Sequence, residues 1–154
     1  MVADVSSLAA QVRRQEEQVA RSEEAAHRKD ALIDACAFQL SNDIGDAVVA
    51  AVREFNRAVE SFPGRQINTY TTGSSPIVSL GKSRSYPKVY VSVSLNLTTQ
   101  RLEVNANRIT KLGSEDLRPM TFLLEVVEDC VEVHDNQGYV APHELAAKLM
   151  QYFL

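Results

Sequence analysis

The sequence predicts an α+β fold made of a long N-terminal α-helix, an antiparallel β-sheet built of hairpins with one polar face, and a short C-terminal α-helix. Three patterns carry that expectation. Residues 1–62 hold no proline, a single glycine (Gly45) and thirteen alanines, a composition that favours helix. Between Val89 and Ala106 the apolar residues fall mostly on alternate positions, which is the period of a strand with one buried face. From Pro142 the spacing is helical again, with Leu145, Leu149, Met150 and Phe153 on one side and proline in the first turn, where its missing N–H is harmless.

Within the first helix two halves differ. From Ile33 the residues Cys36, Ala37, Leu40, Ile44, Val48, Val52, Phe55, Val59 and Phe62 form a continuous apolar stripe, as expected of a helix that packs on a core. Residues 5–29 carry a thinner seam, Val5, Leu8, Val12, Val19 and Ala26, interrupted by Gln15, Ser22 and Lys29. That seam has coiled-coil spacing but few large side chains. Glu17 with Arg21 and Glu24 with Arg28 stand four apart in the order that supports a solvated helix. Ser41, Asn42 and Asp43 resemble a helix cap and Gly45 loosens the backbone, yet the stripe keeps phase across them, so one helix is expected, ending at Pro63-Gly64. The chain is accordingly divided into an exposed helical extension, 1–30, and a compact domain, 31–154.

The strands follow from local pattern. A tight turn at Thr99-Gln100 would pair Leu97 with Leu102, Leu95 with Val104 and Val93 with Ala106, leaving a bulge near Asn107 to turn Ile109 inward. Phe122, Leu124 and Val126 lie on even positions and Val131 and Val133 on odd ones. A two-residue turn at Glu128-Asp129 aligns all five on one face. The rival helix from Ser114 is opposed by Pro119 and by the valines of 126–133. Short strands are expected at Gln66 to Thr72, at Ile77 to Leu80 and at Tyr139-Val140.

The chain of 154 residues has a formal charge of −4, enough length for one core without disulfide or metal support. Its charge is unevenly placed: −4 over residues 1–64, +6 over 65–112 and −6 over 113–154. No stretch approaches 18 apolar residues and the N-terminus lacks a basic, then apolar, leader, so a cytoplasmic chain with no membrane contact is expected. Cys36 and Cys130 are 94 positions apart, neither a disulfide framework nor a metal pair, and both read as structural.

No motif names a reaction. Residues 76–83 resemble the end of a phosphate-binding loop, but Pro76 replaces its first glycine and Pro87 follows where a helix should open. Gly81 to Ser85 reads instead as a mobile, exposed basic loop. His134 and His143, with Asp135 and Glu144 beside them, match no metal-ligand spacing, and neither cofactor nor metal is expected. The leading expectation is a non-enzymatic protein–protein interaction or adaptor module, a homodimer or the companion of a helical partner, joined through the seam Val5, Leu8, Val12 and Val19. Its alternative is polyanion or nucleic-acid binding by the basic segment 65–111, with Lys82, Arg84, Lys88 and Tyr86 as the anion-binding candidates. A third reading is a small-ligand carrier or enzyme using space between sheet and helices.

Overall fold

The computed structural model describes residues 4–70 and 77–154. Helix α1 runs without a break from Val5 to Ala58, so the cap-like Ser41-Asn42-Asp43 and Gly45 do not interrupt it. Ile44 and Val48, which flank the glycine, are fully buried, and their packing outweighs the roughly 1 kcal/mol that glycine costs a helix. At its start the Asp4 carboxylate accepts from the Ser6 N–H at 3.2 Å. The end comes four residues earlier than the proline predicts. Gln66 donates its side-chain amide to the carbonyls of Asn56 and Val59, both at 3.2 Å. Asn56 in turn exchanges two bonds with the backbone of Ile67, at 2.8 and 2.9 Å. These amides satisfy groups that a helix terminus leaves without partners, and Pro63–Arg65 then forms a separate 3₁₀ turn.

The sheet contains β1 (Asn68–Tyr70), β2 (Val78–Lys82), β3 (Lys88–Asn96), β4 (Arg101–Thr110), β5 (Gly113–Asp116), β6 (Met120–Val127), β7 (Cys130–Asp135) and β8 (Gly138–Tyr139). All pairings are antiparallel, in the spatial order β1-β2-β3-β4-β6-β7-β8, with β5 beside the far end of β4. The strand expected over Gln66 to Thr72 is thus present at Asn68–Tyr70, while Thr71, Thr72 and Pro76 lie outside the described residues.

The central hairpin corrects the predicted register. Leu95 faces Leu102, Val93 faces Val104 and Val91 faces Ala106, a slip of two residues from the expected pairing. The cause is the turn: the Asn96 side chain accepts from the N–H groups of both Thr98 and Thr99 at 3.1 Å, and Gln100 takes a positive φ of 55°. That makes a longer loop in which an asparagine mimics a backbone turn. Because the slip is even, the inward face is preserved. The bulge near Asn107 is absent: Val89 pairs with Arg108 and Lys88 with Ile109 in uninterrupted register. Arg108 therefore stays on the helix-covered side, at the end of the sheet that the helices leave open.

The second hairpin has the predicted register, with Val126 opposite Val131 and Leu124 opposite Val133. Its turn residues Glu128 and Asp129 have φ of 51° and 62°, the two left-handed positions that suit the twist of a hairpin. β5 was not foreseen. Gly113–Asp116 pairs with Thr110–Asn107, and Met120–Leu123 pairs with Val104–Arg101, so one edge of β4 is served by two short strands. Pro119, which cannot donate to a ladder, stands in the gap.

Helix α2 (Pro142–Met150) begins at the predicted proline and lies beside α1 on the same side of the sheet. The core is the layer between them. It joins Ile33, Ile44, Val48 and Val52 of α1 and Leu145 and Leu149 of α2 to Val78, Leu80, Val91, Val93, Leu102, Val104, Phe122, Leu124 and Val133 of the sheet. Among the described residues no helix covers the other face of the sheet.

Two substitutions test this layout. Leu102→Ala, at a side chain with no exposure, is expected to destabilise the fold by about 2–5 kcal/mol in urea unfolding. Replacing Glu128-Asp129 by Asn-Gly, which accepts positive φ more readily, should raise stability by roughly 1 kcal/mol in urea unfolding.

Candidate functional site

The seam residues lie on the part of α1 that precedes its first buried side chain. Every described residue from Asp4 to Arg28 is exposed except half-buried Ala10, and the first buried side chain is Ile33. Val5 is 78% exposed, Leu8 48%, Val12 56% and Val19 51%, so four aliphatic side chains stand in solvent along one side of a helix. They continue the heptad phase of Ile33, seven residues apart at 5, 12, 19, 26 and 33, and the stripe that seals the core therefore runs on past it. Asp30 accepts a hydrogen bond from the Gln100 side chain, marking where helix and sheet part. Of the two predicted helix pairs, Arg28 with Glu24 is formed at 3.4 Å; a contact between Glu17 and Arg21 is not among the ion pairs of the described residues.

The four anion-binding candidates do not share one face. Lys88 and Tyr86 meet: the Lys88 Nζ lies 5.1 Å from the Tyr86 ring centre, and Lys111 reaches the same ring at 6.0 Å. Arg84 is exposed in the loop. Lys82 does not belong to an exposed loop, contrary to expectation. It is the last residue of β2, pairs with Val89, and is 5% exposed on the helix-covered side of the sheet. Its ammonium donates to the carbonyls of Ser85 at 3.2 Å and Pro87 at 2.7 Å, bonds that take the place of the water it has lost. Ser85 also donates its hydroxyl to the Gly64 carbonyl at 3.0 Å. A side chain at Gly64 would come within 2.7 Å of the Ser85 oxygen, so that glycine lets the loop close down on the 3₁₀ turn.

Structure adds two partners to Lys82 that the sequence reading passed over. Arg65, from the 3₁₀ turn, and Arg108, from β4, line with it a cleft of about 430 Å³ whose walls include Pro87, Val89 and Phe153. Burial holds the Lys82 ammonium below its usual pKa, and the Arg65 charge adds to the effect. Among the described residues no carboxylate lies within 4.0 Å of Lys82 or Arg65, whereas Arg108 has Glu115 at 3.1 Å. Parity places Arg108 here, where the expected bulge near Asn107 would have turned it away. Counted from Val89 and Val91, both Lys82 and Arg108 fall on the inward side once the register is continuous.

On the open face of the sheet a second depression, of about 370 Å³, lies among Tyr70, Tyr90, Ser92, Asn105, Asn107 and Asp116. Gly81 forms part of its surroundings: a β-carbon there would stand 3.1 Å from the Tyr90 ring and 3.3 Å from that of Tyr70. The lack of a side chain allows the two rings to lie over β2.

The histidine cluster does not assemble. His134 contacts Glu132 at 3.1 Å, and Asp135 accepts from the Gln137 N–H at 2.8 Å and faces Lys148 at 3.9 Å. Among the described residues no group of three or more His, Cys, Asp or Glu side chains is arranged to hold a metal ion. Cys36 is half-buried and Cys130 exposed. Among the same residues no helix is long and apolar enough to cross a membrane. No family model, curated protein or solved structure matches the chain.

Lys82 gives a pH signature. Its folded-state pKa lies below 10.5, so between the two values the unfolded chain binds more protons and stability rises with pH. The stability of the protein relative to a Lys82→Met variant is therefore expected to improve from pH 7 toward pH 10.5, read from urea midpoints measured at each pH.

Proposed function

We propose that the protein is a protein–protein interaction module that self-associates, or joins a helical partner, through the extension of α1. The observation that carries this reading is the exposed seam of Val5, Leu8, Val12 and Val19 on a helix that has already left its own core. The 25 residues from Val5 to Lys29 extend about 37 Å at 1.5 Å per residue. An isolated helix of that length, with a mixed polar surface, gains little from water and much from a second apolar stripe. The interruptions at Gln15, Ser22 and Lys29 suit an association of moderate strength, since polar residues in a seam trade affinity for register.

Light scattering tests the reading. The full chain should give the mass of an oligomer, and deletion of residues 5–28 should reduce it to that of a monomer while the domain still melts cooperatively. Val12→Asp combined with Val19→Asp should have the same effect, because each would bury a charge in the seam. A full chain that is monomeric, mixed with helical partners or alone, overturns it.

A further inference from the structure

Beyond the seam, the cleft at the open end of the sheet carries its own chemistry. Three cations converge on it from three different elements: Arg65 from the 3₁₀ turn, Lys82 from β2 and Arg108 from β4. Like charges gathered without an equal number of carboxylates repel one another, the more so where one is removed from water. Here Lys82 is 5% exposed, and two of its three N–H donors are engaged by the carbonyls of Ser85 and Pro87. Among the described residues only Arg108 has an acid beside it, the exposed Glu115. Val89, between Lys82 and Arg108 in one row across the strands, adds apolar surface to the lining together with Pro87 and Phe153, beside Tyr86, Thr110, Tyr152 and Leu154. A volume of about 430 Å³ is that of a small-molecule site, which usually combines an apolar body with a few convergent polar groups.

We propose that this cleft binds a small organic phosphate, its anionic group held by Arg65, Lys82 and Arg108 and its apolar body laid against Pro87, Val89 and Phe153. The two guanidiniums offer paired donors suited to phosphate oxygens, and the lysine supplies a fixed charge whose direction is set by its backbone acceptors. A tetrahedral dianion uses donors arriving from several sides, whereas a planar carboxylate is served by one guanidinium. Two more cations stand near: Lys88, which leaves β3 on the other face of the sheet, and Lys111 both reach the ring of Tyr86, which also lines the cleft. Neither lysine lines the cleft itself, so a small ligand is held without them, whereas a polymer would engage them.

Calorimetric titration of the full chain at low ionic strength is the test, with phenyl phosphate, benzoate, inorganic phosphate and a single-stranded oligonucleotide as probes. Phenyl phosphate should bind one per chain, with inorganic phosphate and benzoate each weaker. Arg65→Gln and Arg108→Gln, both at solvent-accessible side chains, should each weaken it by about tenfold or more, and Lys88→Gln should leave it unchanged. Lys82→Met should abolish binding; because that residue is buried, its variant is read only together with the two arginine variants and with a circular dichroism spectrum. Absence of phenyl phosphate binding at about millimolar concentration, binding indifferent to both arginine changes, or benzoate binding as tightly as phenyl phosphate would each overturn the proposal. So would an oligonucleotide that binds more tightly than phenyl phosphate and is weakened by Lys88→Gln.

Discussion

The contact between the stripe of α1 and the inner face of the sheet decides the shape of the molecule. Its buried anchors run from Ile33 to Val52, nineteen residue steps or about 28 Å of helix. Seven strands lie side by side beneath, and six spacings of about 4.8 Å make nearly the same width. The helix touches β1 at one margin and β6 and β7 toward the other, so it crosses most of the strands. Once that width is covered, additional helix has no sheet to meet. The 54-residue helix is thus longer than its own domain can use, and the solvent-facing seam is the direct result.

The same contact explains what remains exposed at the opposite end. α2 and the stripe cover the middle of the inner face, and the row Lys82, Val89 and Arg108 lies at its end. Val89 and Lys82 are closed over there, at 4% and 5% exposure, with Lys82 tied to two carbonyls, while Arg108 reaches out to Glu115. Arg65 joins them because Asn56 and Gln66 fix the path of the chain as it leaves α1. The cleft is therefore assembled by the fold: its three cations alone span 43 positions, and its lining runs from Arg65 to Leu154.

How much of this was legible in the sequence depended on the range of the interaction responsible. Apolar period alone identified α1, the two hairpins and α2, since burial of one face is repeated along each of them. The turn at Glu128-Asp129 could be located because a switch of parity leaves one answer. The turn after Asn96 could not, since a slip of two residues keeps Val91, Val93, Leu102 and Val104 inward and the choice falls to an asparagine side chain. β5 was hidden for a related reason: Gly113–Asp116 is exposed throughout and carries no apolar alternation. Lys82 was placed in a loop because a lysine between glycine and serine ordinarily marks one. Its true position depends on Ser85 and Pro87, and on a strand pairing with Val89 that local pattern does not encode. The seam was legible from heptad spacing, whereas the meeting of Arg65 with Lys82 and Arg108 depended on tertiary structure.

The margins of the sheet bear on how copies of this chain can meet. At one margin β8 is two residues long and pairs with His134 and Asp135. A strand of that length offers an incoming chain only a few backbone donors and acceptors, too few for stable strand-to-strand growth. The association proposed through α1 runs through side chains on a helix, where it can saturate at a defined number of copies instead of propagating into a fibre.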